Sequence, residues 1–182
     1  MARAAVPGRL SWRVATVKET RDETATARTL LLDVPGWPGH VPGQHVAVKL
    51  TAEDVTVDIH CVTQWSKLGT RWRGVSVDTL LDGIETSAGY VMARSYGGYT
   101  TNMPLADLRD GKAWVAYSYD GRPLPPEHGG PARLLVPHLY FWKSAKWVRA
   151  IQLMTDDQPG FWESLGYHNY GDPWREQRYQ GD

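Results

Sequence analysis

Apolar and polar residues alternate over 11–18, Ser-Trp-Arg-Val-Ala-Thr-Val-Lys, and that two-residue period predicts a strand. Arg28 to Val34, with Leu30, Leu31 and Leu32, predicts a second strand after a polar turn at 19–26. Pro35-Gly36-Trp37-Pro38-Gly39 is too rich in proline and glycine for anything but loop. Residues 41–50 then predict a turn and a third strand. Three strands on tight turns are the start of a small antiparallel barrel. Val55-Thr56-Val57, β-branched throughout, predicts a strand that runs into Cys61 and a loop beyond it.

Further along, Val77–Ile84 reads as a short helix, with Asp78 near its start and Gly83 near its end. Gly89–Arg94 reads as a strand, 97–102 as loop, and Met103–Leu108 as a helical turn. Lys112–Tyr119 is a strand ending in the turn signal Asp120-Gly121. Leu134–Val136 and Val148–Met154 add strands, and the chain from Gly160 onward wraps as ordered loop. The fold class is α+β, mixed and strand-dominated, with an N-terminal three-strand antiparallel segment.

Composition narrows the function. An apolar fraction of 42% over 182 residues suffices for a core. Twenty basic residues balance twenty acidic ones, so no global field attracts nucleic acid or membrane. A charged ligand must be held by a local cluster. No apolar run is long enough to span a bilayer and no secretory signal opens the chain. With a single cysteine, this predicts a reducing cytoplasm.

That cysteine, Cys61, cannot form an internal disulfide. It is either a small buried hydrophobe or a thiolate serving as nucleophile or metal ligand. Zinc held by Cys61 and His60 lacks further ligands at metal spacing. The second candidate feature is Pro123–Trp147. From 133 to 149 the chain carries Arg133, Lys143, Lys146 and Arg149 and no acid. Lys143-Ser144-Ala145-Lys146 offers cations, a hydroxyl and backbone N–H groups together, a set that holds phosphate. The alternative is a solvated basic loop, against which Trp142 and Trp147 argue.

Two resemblances follow from these residues. The first two strands and Pro42-Gly43-Gln44-His45-Val46 resemble the opening of the flavin-binding barrel of the ferredoxin–NADP reductase family. The Arg-x-Tyr-Ser/Thr element by which that family binds flavin is missing at its distance, which argues against bound FAD. Residues 55–182 resemble the molybdenum-cofactor domain of the sulfite oxidase family, through Pro-Leu-Pro, His-Gly, Arg133-Leu-Leu-Val-Pro, Lys-Ser-Ala-Lys-Trp and Phe161-Trp…Leu-Gly. The two together divide the chain into 1–54, a flavin-reductase-like fragment, and 55–182, an N-terminally truncated sulfite oxidase-type domain.

The second resemblance implies roles. Cys61 matches the cysteine that ligates molybdenum. His128 and Arg133 match residues that contact the pterin or its phosphate. Ser144, Ala145 and Lys146 match the Ser-x-Lys stretch that contacts the cofactor, and Ser95 a polar position near it. Tyr167 matches the tyrosine beside the substrate, with Tyr170 as its alternative. Lys67 and Arg71 could admit an anion. The implied activity is molybdopterin-dependent oxygen-atom transfer to or from a small oxyanion or sulfoxide, with a flavin reductase or another electron-transfer partner. The alternatives are a flavin-dependent electron-transfer module and a non-catalytic chimera.

Overall fold

A computed structural model describes residues 16–22, 28–37 and 51–182. The chain forms two compact units, Met1–Val48 and Lys49–Asp182. In the first, β1 (Thr16–Asp22) and β2 (Arg28–Asp33) pair antiparallel, Thr16 opposite Asp33. The first strand overlaps the predicted 11–18 at 16–18, the residues before them lying outside those described, and it takes in half of the expected polar turn. The expected third strand, 41–50, falls outside the described residues. A two-strand hairpin carries no argument for a flavin barrel.

The second unit is built on two sheets. In one, β3 (Glu53–Cys61) pairs with β4 (Trp65–Ser76), and β4 with β7 (Trp114–Tyr119). The short strands β8 (Arg122–Pro123) and β9 (Arg133–Leu135) follow one another along the far edge of β7. The other sheet has the order β10 (Val148–Met154), β5 (Tyr90–Ser95), β6 (Thr100–Pro104). Two short helices complete the elements, α1 (Val77–Leu80) and α2 (Phe161–Ser164).

Side chains on a strand point alternately to opposite faces, and β9 uses this to join two cores. Leu134 belongs to a cluster with Val77, Val91, Met103, Leu108 and Val136. Its neighbour Leu135 belongs to another, with Ile59, Trp72, Trp114 and Leu124. On β4 the same period buries Thr70, Trp72 and Gly74 in turn. A Cβ on Gly74 would stand 2.7 Å from the Val115 carbonyl oxygen, so close pairing with β7 requires glycine there.

Two expectations need correction, and one strand was missed. The helix over 77–84 is one turn, ending at Leu80. The stretch 97–102 is loop only at its start, because Thr100–Pro104 is a strand. The long strand β4 was not legible, since Ser66, Lys67, Arg71 and Arg73 face solvent and hide its apolar period.

Candidate functional site

The thiol is delivered by a β-hairpin. β3 carries an irregularity between Val57 and Ile59, after which Ile59 and His60 are both buried. Asp58, at the irregularity, accepts the Gly69 amide at 2.7 Å and ties the two strands together. Cys61 closes β3 opposite Trp65, and the amide of Gln64 returns to the Cys61 carbonyl at 3.1 Å. Gln64 takes a left-handed φ of 68° to make that turn. The thiol is half-buried and lies 3.1 Å from the Thr63 hydroxyl.

Cys61 opens on a cavity of about 360 Å³, within the range that holds a ligand of several hundred daltons. The hairpin supplies one wall with His60, Gln64, Trp65 and Ser66. His60 is fixed through Nδ1 to the Ser66 hydroxyl at 2.8 Å and by an edge contact to Trp174 at 5.0 Å. The rest of the lining comes from Tyr140 and the C-terminal residues Pro173, Trp174, Glu176 and Arg178. Burial raises the Tyr140 phenol above its ordinary pKa, the Arg178 guanidinium pulling the other way. At neutral pH it is therefore a proton-bearing donor.

The basic segment forms a second group. Arg133 is buried; it donates to the carbonyls of His128 at 3.0 Å and Ser144 at 2.7 Å. The Trp147 amide bonds the Gly129 carbonyl, the Tyr96 amide the Trp147 carbonyl, and Ser95 lies opposite Val148. Ser95, His128, Arg133, Ser144, Ala145 and Lys146 are thus stitched into one cluster. Gly129 is its pivot: it has φ +103°, and a Cβ there would stand 3.0 Å from Lys146 Cβ and 3.1 Å from Arg133 Cβ. Burial lowers the Arg133 pKa to about 10, so it stays charged at neutral pH.

The cluster does not line the Cys61 cavity. Successive residues touch the two: Tyr140 lines the cavity, and Phe141 carries the Arg133 guanidinium 4.1 Å above its ring. Within the cluster, Arg133 Nε and Ser95 Oγ are buried and have no partner. Such unmet valences fit a polar group bound beside them. Lys146 donates to the Glu127 carbonyl at 2.8 Å, and His128 is exposed.

Lys143 departs from its expected role. It is fully buried, and its ammonium meets Glu163 at 2.6 Å, the Asn102 carbonyl at 2.7 Å and the Asn169 carbonyl at 2.6 Å. An ammonium has three donors, so none is left for a cofactor. Burial lowers its pKa, with Glu163 opposing. Neither expected tyrosine reaches the cavity. Tyr167 packs among Trp142, Trp162 and Tyr179. Tyr170 donates to Asp107 at 3.1 Å, and burial pushes its phenol up to about 12. Lys67 lies over the Tyr119 ring and Arg71 pairs with Asp120.

Sequence reasoning missed Tyr140 and the C-terminal wall. Tyr140 stood inside the singled-out segment, but nothing in its neighbours marks which aromatic turns toward the thiol.

Among the described residues no group of three or more His, Cys, Asp or Glu stands together to hold a bare ion. One soft sulfur at an open cavity instead suits a metal that arrives with ligands of its own.

Residues 46–162 match the family described as oxidoreductase molybdopterin binding domain. The chain is 50% identical over 127 residues to the uncharacterized oxidoreductase YuiH of Bacillus subtilis, covering 69% of this chain and 64% of that one. It is 32% identical over 113 residues to the putative protein-methionine-sulfoxide reductase subunit YedZ1 of Azospira oryzae, covering 61% of this chain and 43% of the relative. The chain thus spans less than two thirds of either relative's length. Its fold is similar to that of the sulfane dehydrogenase SoxCD from Paracoccus pantotrophus, with a TM-score of 0.54 at 20% identity, over 66% of this chain and 36% of that one.

Proposed function

The chain belongs to the oxidoreductase molybdopterin binding domain family, and from that premise we propose that it carries a molybdenum–molybdopterin cofactor on Cys61 and moves an oxygen atom to or from a small sulfur or nitrogen oxo-compound. The observation that carries this reading is the lone thiol at the edge of an open cavity, together with a nearby cluster in which the buried Arg133 Nε and Ser95 Oγ have no partner. When bound, the cofactor supplies the two-electron redox change and the oxygen-atom acceptor or donor, while the protein fixes position and charge.

The chain's own residues divide the remaining work. The Thr63 hydroxyl, 3.1 Å from the sulfur, donates to it once it is a thiolate and orients it. Arg133, Ser95 and the backbone of 144–146, with Lys146 and His128, would hold the pterin and its phosphate. Trp65 and Trp174 line the cavity with aromatic surface. Tyr140, protonated at neutral pH, donates a hydrogen bond into the cavity toward the substrate's oxygen. The two electrons of each turnover pass to or from a separate electron-transfer protein, of which a flavin reductase is one kind.

The test is metal analysis with a pterin fluorescence assay on protein purified from a host that makes the cofactor. We expect about one molybdenum per chain, lost in Cys61→Ser while the circular dichroism spectrum is kept. Absence of both metal and pterin would overturn the enzyme reading. Flavin absorbance in their place would support an electron-transfer module. Among the described residues no helix is long and apolar enough to cross a membrane.

A further inference from the structure

Part of the lining of the Cys61 cavity comes from a stretch outside the family-matching residues 46–162. Pro173, Trp174, Glu176 and Arg178 line it, and of all the lining residues Arg178 is the one arginine or lysine. Its backbone is pinned. The amides of Arg178 and Tyr179 donate to the Asp182 side chain at 2.9 and 2.7 Å. The Arg178 carbonyl accepts the His168 amide at 3.1 Å, and Tyr179 bridges to Tyr167.

Its side chain, by contrast, is under-used. A guanidinium offers five N–H donors in a planar fork. Here Nε is buried with no partner, and the one ion pair is a 3.3 Å contact to the exposed Glu176. A single contact of that length to an exposed carboxylate holds weakly. The guanidinium also lies 5.7 Å from the Tyr140 ring, on the same wall.

None of the other cations considered for anion binding lines the cavity. Lys143 is saturated, Arg71 pairs with Asp120, Lys67 lies over Tyr119, and Arg133 belongs to the cluster assigned to the cofactor, on the carbonyls of His128 and Ser144. A planar fork with donors to spare matches an oxyanion, whose oxygens it can take in pairs. A neutral sulfoxide has no second oxygen or charge to meet it.

Resting on the functional reading above, we propose that Arg178 is the specificity-determining residue of this site: it binds the charged group of an oxyanion substrate in the Cys61 cavity, exchanging its contact with Glu176 for the anion. The substrate is then an anionic oxo-compound rather than a neutral sulfoxide.

Two measurements test this. In the first, sulfate is titrated against the purified full chain while tryptophan emission is followed, since Trp65 and Trp174 line the cavity. This needs no turnover, so it reads Arg178 even if the molybdenum assay fails. Saturable quenching is expected, weakened about 10- to 100-fold in Arg178→Gln, partly restored in Arg178→Lys, and tightened by a few-fold in Glu176→Gln, which frees the guanidinium. No saturable quenching in the unaltered chain, or equal sulfate affinity in all four proteins, overturns the proposal. Should Arg178→Gln fail to fold, by its melting curve, Glu176→Gln decides: unchanged or weaker affinity overturns it.

The second measurement uses the molybdenum-loaded enzyme with sulfite as the anionic substrate and dimethyl sulfoxide as the neutral one. Arg178→Gln should raise KM for sulfite about 10- to 100-fold with kcat within a few-fold and molybdenum content unchanged. A preference for dimethyl sulfoxide in the unaltered enzyme, or a KM for sulfite indifferent to Arg178, overturns the assignment.

Discussion

Lys143 and Glu163 form an ion pair, 2.6 Å between nitrogen and oxygen, that is shut off from solvent on both sides. The same Glu163 oxygen accepts from Thr101 at 2.7 Å and Trp142 at 3.0 Å. The pair therefore ties α2 and β6 to the basic segment. Removing one partner of such a pair leaves a bare buried charge, which costs about 3–5 kcal/mol. Lys143→Met should lower the urea midpoint accordingly, and Lys143→Met with Glu163→Leu should recover much of the loss. A Lys143 that served the cofactor would instead cost molybdenum content at little cost in stability.

Gly129→Ala should loosen the cation cluster. The left-handed φ and the contacts to Lys146 and Arg133 at 3.0 and 3.1 Å leave no place for a methyl group. A non-glycine residue held in that region costs roughly 1–3 kcal/mol. Faster loss of pterin fluorescence on dilution, together with a lower melting temperature, is the expected result.

Tyr140→Phe should keep the cofactor and slow the reaction. The ring packs as before, and only the hydroxyl is lost. Loss of one preorganised donor lowers kcat by about 10²- to 10³-fold where that donor meets developing charge. Steady-state kinetics at matched molybdenum content check this. Tyr167→Phe, inside the aromatic group of Trp142, Trp162 and Tyr179, is expected to change kcat by less than a few-fold.

The C-terminal wall should be sensitive to acid. His168 Nδ1 accepts the amides of Tyr170 at 3.0 Å and Gly171 at 3.1 Å, a role open only to the unprotonated nitrogen. Burial, with Lys143 nearby, holds its pKa below the usual 6.5. A base depressed in the folded state contributes stability that is complete above pH 6.5 and lost as pH falls through the depressed value. The Asp182 carboxylate, lowered by its two amide contacts, adds a similar loss further down. Melting temperature should therefore drop as pH falls below 6.5. His168→Asn, whose oxygen can accept the same amides without titrating, should flatten that drop.

The legible parts of the sequence were those where a local pattern decides the outcome. The β-branched run before Cys61, the apolar strand Val148–Met154 and the Asp120-Gly121 turn need little beyond neighbouring residues. Lys143 shows where that ends. Its position in a basic run promises a solvated or anion-binding cation, and only Glu163, twenty residues on and packed against it, makes it internal. Arg178 is the reverse case. It sits in a polar tail with no motif, and it matters because that tail folds back over the thiol. β4 was hidden because most of its outward positions are charged or polar.

The cavity draws its sulfur from a hairpin closed within a few residues, and part of its lining from a stretch more than a hundred positions later. A growing polypeptide thus displays its sulfur long before the receptacle around it exists. Loading must wait until folding is complete, so unfolded protein cannot be recharged in denaturant; it has to be renatured first, and the prosthetic group added afterward.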